Sequence, residues 1–296
     1  MGKLIEKFYR GLPIVREFFQ IRDSLRHGLS TLQAVQYMRD WEFELERHPR
    51  YGDPRRLVRY SFQVNSQSGE DGILHEIFRR IGSGDLVFVE IGLEDGLESN
   101  TAFLLAQNWR GYWIDSGAAF RRTLAEHGIG PDRVRSAVSF VTRENVASLL
   151  QSLDVPREFD LLSVDIDQNT YYAWEALREY RPRVVVIEYN AALPPDLDWK
   201  VAYEPRRVWD GSQNFGASLK ALELLGRRLG YALVGCDLAG TNAFFVREDL
   251  AGENFAAPFT AENHHEPVRY ALLHRRGHRR GLLDAGTTGG RAAPAL

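Results

Sequence analysis

The stretch VFVEIGLEDGLESN, residues 87–100, decides the fold prediction. It begins with apolar and β-branched residues typical of a buried strand, reaches an acid at Glu90, and continues through Gly92 and Gly96. A strand that runs into a glycine turn commonly holds the phosphate or ribose of a nucleotide. The spacing here is G-x-x-x-G, however, and not the G-x-G-x-x-G of a dinucleotide site. The identity of the ligand therefore depends on the residues around the turn.

Strands and helices alternate around this stretch from about residue 70. The predicted parallel strands are 86–91, 111–115, 133–141, 159–166 and 183–189, each separated from the next by a helix. Two further strands, 231–238 and 241–248, are joined only through a tight turn at Ala239-Gly240, which permits nothing but an antiparallel hairpin. The pattern predicts an α/β fold: a doubly wound, mostly parallel seven-stranded sheet that ends in an antiparallel hairpin. That is the architecture of class I methyltransferases rather than of dehydrogenases.

Composition bounds the class of protein. The chain has 296 residues, a formal net charge of -3 and 44% hydrophobic residues, as in ordinary soluble proteins. Nothing in the global charge favours nucleic acid as a partner. The single cysteine, Cys236, excludes a disulfide framework or a cysteine-based zinc cluster, and it fits a cytoplasmic location.

The two ends of the chain differ from its middle. We predict a helical N-terminal segment over 1–58, the main domain over 59–270 and a disordered basic tail over 271–296. One helical stripe of the N-terminal segment is apolar and lies between basic residues; its members are Leu4, Phe8, Leu12, Val15 and Phe19. Such a stripe suits peripheral contact with an anionic inner-membrane surface. It equally suits packing on the domain or on a second subunit, as a homo-oligomer, and we favour packing.

Acids at two neighbouring strand ends point to the cofactor. Glu90 ends the first strand, and Asp115 ends the second, where a carboxylate can accept both ribose hydroxyls. The ribose contact alone fits NAD equally well. An acid at Glu90 favours S-adenosylmethionine, because that ligand carries an ammonium and a sulfonium and no phosphate. A purely structural turn is the alternative.

The chain also resembles a known family. EIGLEDGLES (90–99) resembles the first motif of FkbM-type methyltransferases, and LLSVDIDQNTYYAWEAL (161–177) with RPRVVVIEYN (181–190) resembles that family's fourth and fifth strands. SQSGEDGI (66–73) and GYALVGCDLAGTNAFFV (230–246) are similar to a bacterial subgroup associated with polysaccharide and sugar biosynthesis. The resemblance covers roughly residues 60–250. It departs at Glu94, where the family commonly has Asn, and at Ser116, where Pro or Gly is frequent.

The resemblance implies S-adenosylmethionine as cofactor and methyl transfer to a sugar hydroxyl. The acceptor would be a sugar, a glycan or a nucleotide sugar. Gly92, Gly96 and Glu90 would line the methionine side of the cofactor and Asp115 the ribose. Gln67 and Glu70 would close over the cofactor.

A second acidic group follows the fourth and fifth strands. Asp165 and Asp167 end one strand, and Glu188 and Asn190 end its neighbour, so all four are expected at one edge of the cleft. Asp165, Glu188 and Asn190 would suit Mg²⁺, which prefers oxygen ligands. Catalysis is assigned to Asp165 and Asp167. A metal-free general base at Asp167 or Glu188 and simple capping of the next helix remain open alternatives.

Two hypotheses about the function of the protein remain. The first is an O-methyltransferase acting on a sugar or glycan, for which the stretch 196–216 is long enough to form a substrate lid. The second is a non-catalytic scaffold that keeps the methyltransferase fold. Acids at all the expected strand ends favour the first.

Overall fold

The computed structural model describes residues 47–270 and 281–283 continuously, with scattered positions between 17 and 43. The chain forms two compact units, Met1–Gly52 and Asp53–Leu296. The described residues of the first unit are mostly helical and end in the short helix Pro49–Gly52. The predicted apolar stripe lies outside the described residues, so the membrane and oligomer predictions that depend on it stay predictions. Within the described part of the chain, no helix is both long and apolar enough to span a bilayer.

The second unit is built on one seven-stranded sheet with the order β3-β2-β1-β4-β5-β7-β6. The strands are β1 Val87–Ile91, β2 Arg110–Asp115, β3 Val134–Val138, β4 Glu158–Val164, β5 Arg181–Glu188, β6 Tyr231–Cys236 and β7 Asn242–Arg247. The first five strands pair in parallel, while β7 is antiparallel to both β5 and β6. The predicted fold class, including the closing hairpin, is confirmed.

Helices cover both faces of this sheet. They are α1 Glu70–Ile81, α2 Ala102–Ala106, α3 Ala119–Glu126, α4 Val146–Ser152, α5 Thr170–Ala176, α6 Leu219–Leu229, α7 Glu248–Ala251 and α8 Ala261–His264, with a 3₁₀ turn at Val58–Tyr60. The helix predicted over 97–108 is confined to α2. Residues 97–101 are not helical, and the Asn100 backbone N–H donates to the Glu90 carboxylate.

Two apolar cores flank the sheet, and alternating strand residues feed one or the other. In β1, Val89 faces a core that contains Trp174 and Phe245, whereas Phe88 faces the opposite core with Trp113. Gly226 lets α6 approach the sheet closely, since a Cβ there would lie 2.8 Å from the Phe245 ring. Both cores are buried between the sheet and its helices.

Part of the predicted tail contacts the main domain. Leu282 is 8% exposed and belongs to the core that contains Trp113. Its backbone N–H donates to Nε2 of His127 at 3.3 Å, and the carbonyl of Gly281 accepts from Nδ2 of Asn65 at 3.3 Å. These contacts are recorded for residues 281–283 only, and the disorder predicted over 271–296 stays a prediction. The remainder of 271–296 lies outside the described residues.

Candidate functional site

A cleft of about 900 Å³ lies at the carboxyl ends of the parallel strands, where open α/β sheets bind their ligands. Nine carboxylic acids line it: Glu70, Glu90, Glu94, Asp95, Glu98, Asp115, Asp165, Asp167 and Glu188. Arg207 is the single basic side chain among the described residues that line it. Eight of the predicted site residues line the cleft: Gln67, Glu70, Glu90, Gly92, Asp115, Asp165, Asp167 and Glu188. The other two, Gly96 and Asn190, do not line it.

Gly92 brings the turn after β1 against the end of β4. Its φ is +81°, and a Cβ at this position would lie 1.7 Å from the carbonyl oxygen of Asp165. Both the backbone conformation and the lack of space therefore require glycine. Gly96 also has a positive φ, of +76°, but a Cβ there would press on the Trp113 ring, at 2.9 Å. Gly92 shapes the cleft, whereas Gly96 serves packing behind it.

Glu90 holds the far side of the same turn. It is 2% exposed, and its carboxylate accepts from the backbone N–H of Asn100 at 2.9 Å and from the Thr101 hydroxyl. The Thr101 oxygen in turn accepts from Nε1 of Trp113 at 2.8 Å. Burial raises the pKa of Glu90 to about 7. Glu90 therefore borders the cleft while its oxygens fix residues 100 and 101.

Asp115 clasps the glycine turn from β2. Its Oδ2 accepts from the backbone N–H groups of Leu93 and Glu94, at 2.8 and 3.0 Å, and its Oδ1 accepts from Gly117 N–H at 2.7 Å. A carboxylate offers about four acceptor positions. Three are filled by backbone, so roughly one remains for a ligand hydroxyl, where the sequence predicted two ribose contacts. Glu94 adopts φ +52°, a left-handed conformation that Asn accepts more readily than Glu.

Asp165, Asp167 and Glu188 converge at the ends of β4 and β5. One carboxylate oxygen from each lies within 4.8 Å of the others, and Asp165 and Glu188 are within hydrogen-bonding distance of one another. Asp165 is exposed to the cleft, so the surrounding protein removes only part of its solvent; this desolvation, and after it the charge of Asp167, raises the pKa of Asp165 above the ordinary aspartate value. Burial and the two aspartates raise the pKa of Glu188 as well. Three acids this close oppose one another's ionisation, and a cation between them would relieve that repulsion.

One oxygen of this cluster is left without a protein partner. Oε2 of Glu188 is buried and accepts no hydrogen bond from the described residues. A buried carboxylate oxygen without a donor costs free energy unless something positive occupies the space beside it.

Asn190 is placed differently from the prediction. Its Nδ2 donates to the carbonyls of Gln213 and Phe215, at 2.8 and 3.1 Å, and its Oδ1 accepts from Ala192 N–H at 3.3 Å. The amide is thus committed to backbone groups, and the residue lies outside the lining of the cleft. The sequence predicted Asp165, Glu188 and Asn190 as the ligand set. Among the described residues, the group that converges contains Asp167 in place of Asn190.

Glu70 belongs to a hydrogen-bond network that the sequence did not reveal, and Gln67 lies on the same loop. Glu70 accepts from the Ser68 hydroxyl at 2.8 Å and from Nδ2 of Asn242 at 2.9 Å. The Ser68 oxygen also lies 2.6 Å from Oδ2 of Asp237, and Asp237 accepts from Thr241 N–H at 2.8 Å. Gln67 thereby borders the cleft on a loop that is tied to the β6–β7 hairpin. The available signal was an acid directly before the hairpin turn, at Asp237.

Residues 196–216, called the lid below, arch along the edge of the cleft. The Tyr203 hydroxyl bonds to Glu144, and the carbonyl of Glu204 accepts from Nδ2 of Asn169 at 2.9 Å. Backbone bonds close the base of the lid, for example from Val201 N–H to Gly216 at 2.9 Å. Four lid residues line the cleft: Arg207, Val208, Trp209 and Phe215. Across from them, Ser139, Phe140 and Val141 after β3 complete the wall, and the sequence had not marked these three.

Comparisons with known proteins give fold-level likeness only. No family model matches the chain, and no curated protein matches it. Among solved structures, the N-terminal domain of EvdMO1 with SAH bound is 11% identical, with a TM-score of 0.40 over 60% of this chain and 79% of that chain. A SAM-dependent methyltransferase from Aquifex aeolicus is 13% identical, with a TM-score of 0.36 over 66% and 94%. Human methyltransferase-like protein 13 in complex with SAH is 12% identical, with a TM-score of 0.40 over 71% and 94%. Similarity this weak says nothing about the chemistry of this chain.

Proposed function

We propose that this protein is an S-adenosylmethionine-dependent O-methyltransferase that acts on a sugar or glycan hydroxyl. The charge of the cleft carries the proposal: nine acids and one arginine line the switch point of the sheet. Such a cleft attracts a ligand with a sulfonium and an ammonium and repels a pyrophosphate. The strand order, with β7 antiparallel between β5 and β6, agrees with this class of enzyme.

The walls of the cleft suggest how the cofactor would lie. The ribose would approach the remaining acceptor position of Asp115, and the adenine would lie along Phe140 and Val141 beyond Ser116. The amino-acid end would lie towards Gln67 and Asn242, on the opposite side of the Gly92 turn. S-adenosylmethionine supplies an electrophilic methyl: an oxygen–carbon bond forms while the carbon–sulfur bond breaks, and its electron pair stays on sulfur.

The acid cluster would handle the proton of the acceptor. An acceptor hydroxyl must lose its proton as the new bond forms, and Asp167 lies in the cleft with an oxygen near those of Asp165 and Glu188. Desolvation raises the pKa of Asp167 above the ordinary aspartate value, which makes its carboxylate a stronger base. Asp167 would take that proton, and Asp165 would orient the hydroxyl.

The same residues fit a divalent cation. The spacing of their carboxylate oxygens suits a hard cation, and a cation there would also supply a partner for the buried, unpaired Oε2 of Glu188. In this metal-dependent alternative to the free base at Asp167, the three acids Asp165, Asp167 and Glu188 would hold Mg²⁺. The ion would supply charge that lowers the pKa of an acceptor hydroxyl. In this arrangement Asn190 contributes by anchoring the lid rather than by ligation.

The test is methyl transfer. Wild-type protein is incubated with methyl-labelled S-adenosylmethionine, Mg²⁺ and a panel of sugars, glycans and nucleotide sugars, and labelled products are separated. We expect label on the oxygen of at least one sugar, with Asp167→Asn as the inactive control. Binding of S-adenosylmethionine without transfer to any acceptor would favour a non-catalytic scaffold.

A further inference from the structure

Arg207 is an unusual residue in its surroundings. It is half-buried on the lid and lines a cleft that carries nine acids. Even so, among the described residues it forms no ion pair within 4.0 Å of a carboxylate. Its charge acts on Asp210, which is also on the lid and is exposed. If Arg207 served to neutralise the acids of the cleft, a direct pair with one of them would be expected. Its guanidinium is instead available to a ligand.

An exposed aromatic side chain lies two residues further along. Trp209 is 50% exposed, and its Nε1 donates to the carbonyl of Ser212 at 2.7 Å. Its ring meets Phe215 edge to face, at 6.1 Å between centroids. These two contacts fix the orientation of the indole while leaving much of its surface open. Exposed apolar surface next to a cleft marks a ligand-binding surface, and an indole face suits the C–H face of a sugar ring.

We propose that the acceptor is an anionic sugar whose phosphate or carboxylate is held by Arg207 and whose ring packs on Trp209. The inference rests on the proposed methyl transfer and adds the class of acceptor. A guanidinium presents paired N–H donors that match either oxyanion in a bidentate manner. Since the acids of the cleft repel an anion elsewhere, Arg207 sets the orientation of the sugar. The charged group lies at the lid, and a neutral hydroxyl faces Asp165 and Asp167.

The chain provides a matched control. Arg206 is the neighbouring residue, is exposed, and does not line the cleft. Arg206→Gln therefore removes the same charge from the lid without removing a guanidinium from the cleft. A general electrostatic effect of the lid would change both variants equally, whereas a specific contact would change only Arg207→Gln.

Calorimetry on the protein saturated with S-adenosylhomocysteine and Mg²⁺ tests the proposal, with glucose 1-phosphate, glucuronate and glucose as probes. We expect at least one anionic probe to bind about tenfold or more tightly than glucose. Arg207→Gln should abolish that preference, and Arg206→Gln should keep it. The two anionic arms distinguish a phosphate from a carboxylate. Trp209→Ala should weaken the binding of all three sugars, and Trp209→Phe should restore most of it.

Several outcomes would overturn the inference. Equal affinity for the three probes, no detectable binding of either anion, or an unchanged preference in Arg207→Gln would each do so. Weakened binding of S-adenosylhomocysteine to Arg207→Gln would assign the arginine to the cofactor instead. Failure of the wild type to bind S-adenosylhomocysteine is a separate result, because it would contradict the proposed function itself.

Discussion

Replacing Gly92 by alanine tests the contact on which the cleft is built. The substitution forces an L-residue into φ +81° and places a methyl group 1.7 Å from the carbonyl oxygen of Asp165. The left-handed conformation costs about 1–2 kcal/mol. Relief of an overlap with backbone atoms adds about 1–3 kcal/mol, because neither strand end can yield without moving the other. We therefore expect Gly92→Ala to lower the free energy of unfolding by about 2–5 kcal/mol.

Gly230→Ala is the matched control for this substitution. Gly230 has φ +84°, close to that of Gly92, but a Cβ there would meet nothing within 4 Å. It should therefore cost only the conformational part, about 1–2 kcal/mol. Urea unfolding followed by circular dichroism measures both variants. If Gly92→Ala is no more destabilising than Gly230→Ala, the turn after β1 does not pack on the end of β4, and the described cleft is wrong.

Three further predictions concern single residues of the site. The pKa of Glu90 is raised from 4.5 to about 7 in the folded protein, so its stabilising contribution is complete below pH 4.5 and is lost as pH rises through 7. Glu90→Gln should remove up to about 3 kcal/mol of this pH dependence of the unfolding free energy, measured by urea titration from pH 5 to 8. Parallel profiles for the wild type and the variant would contradict this prediction. Excess EDTA should abolish turnover but leave cofactor binding intact, because Asp165, Asp167 and Glu188 would hold the ion that EDTA removes. Added Mg²⁺ should restore turnover. Full activity in EDTA would leave Asp167 as a metal-free base. Asn190→Ala should lower the free energy of unfolding by about 1–3 kcal/mol, because it removes the hydrogen bonds to the carbonyls of Gln213 and Phe215. The affinity for Mg²⁺, measured by calorimetry, should stay unchanged. A large loss of that affinity would show that Asn190 is a metal ligand.

The fold was predictable because it depends on local and periodic signals. The continuous apolar runs of β1 and β5 and the tight turn before β7 were sufficient to specify a parallel sheet with a closing hairpin. The positions of Asp165 and Glu188 followed from the same reasoning, since neighbouring parallel strands end at the same edge. Features that follow from the order and direction of the strands could therefore be predicted from the sequence.

Side-chain partners over long sequence distances were not predictable in this way. Asn190 was expected among the acids, but its amide bonds to the lid, more than twenty residues later in the chain. Asp115 was assigned wholly to a ligand, yet the amides of Leu93 and Glu94 fill part of its carboxylate. The sequence shows which polar side chains lie at the end of a strand. Which backbone groups hydrogen-bond to those side chains is visible only in the folded structure.

Direct calorimetric titration tests whether the acid-lined cleft binds S-adenosylmethionine. The wild type should bind S-adenosylhomocysteine at one site per chain and should show no comparable affinity for NADH. Asp115→Ala should weaken the binding by about 1.5–3 kcal/mol, because it removes an acceptor for the ribose and the clasp on the glycine turn. Tight binding of NADH, or unchanged affinity for S-adenosylhomocysteine in a folded Asp115→Ala variant, would contradict the account.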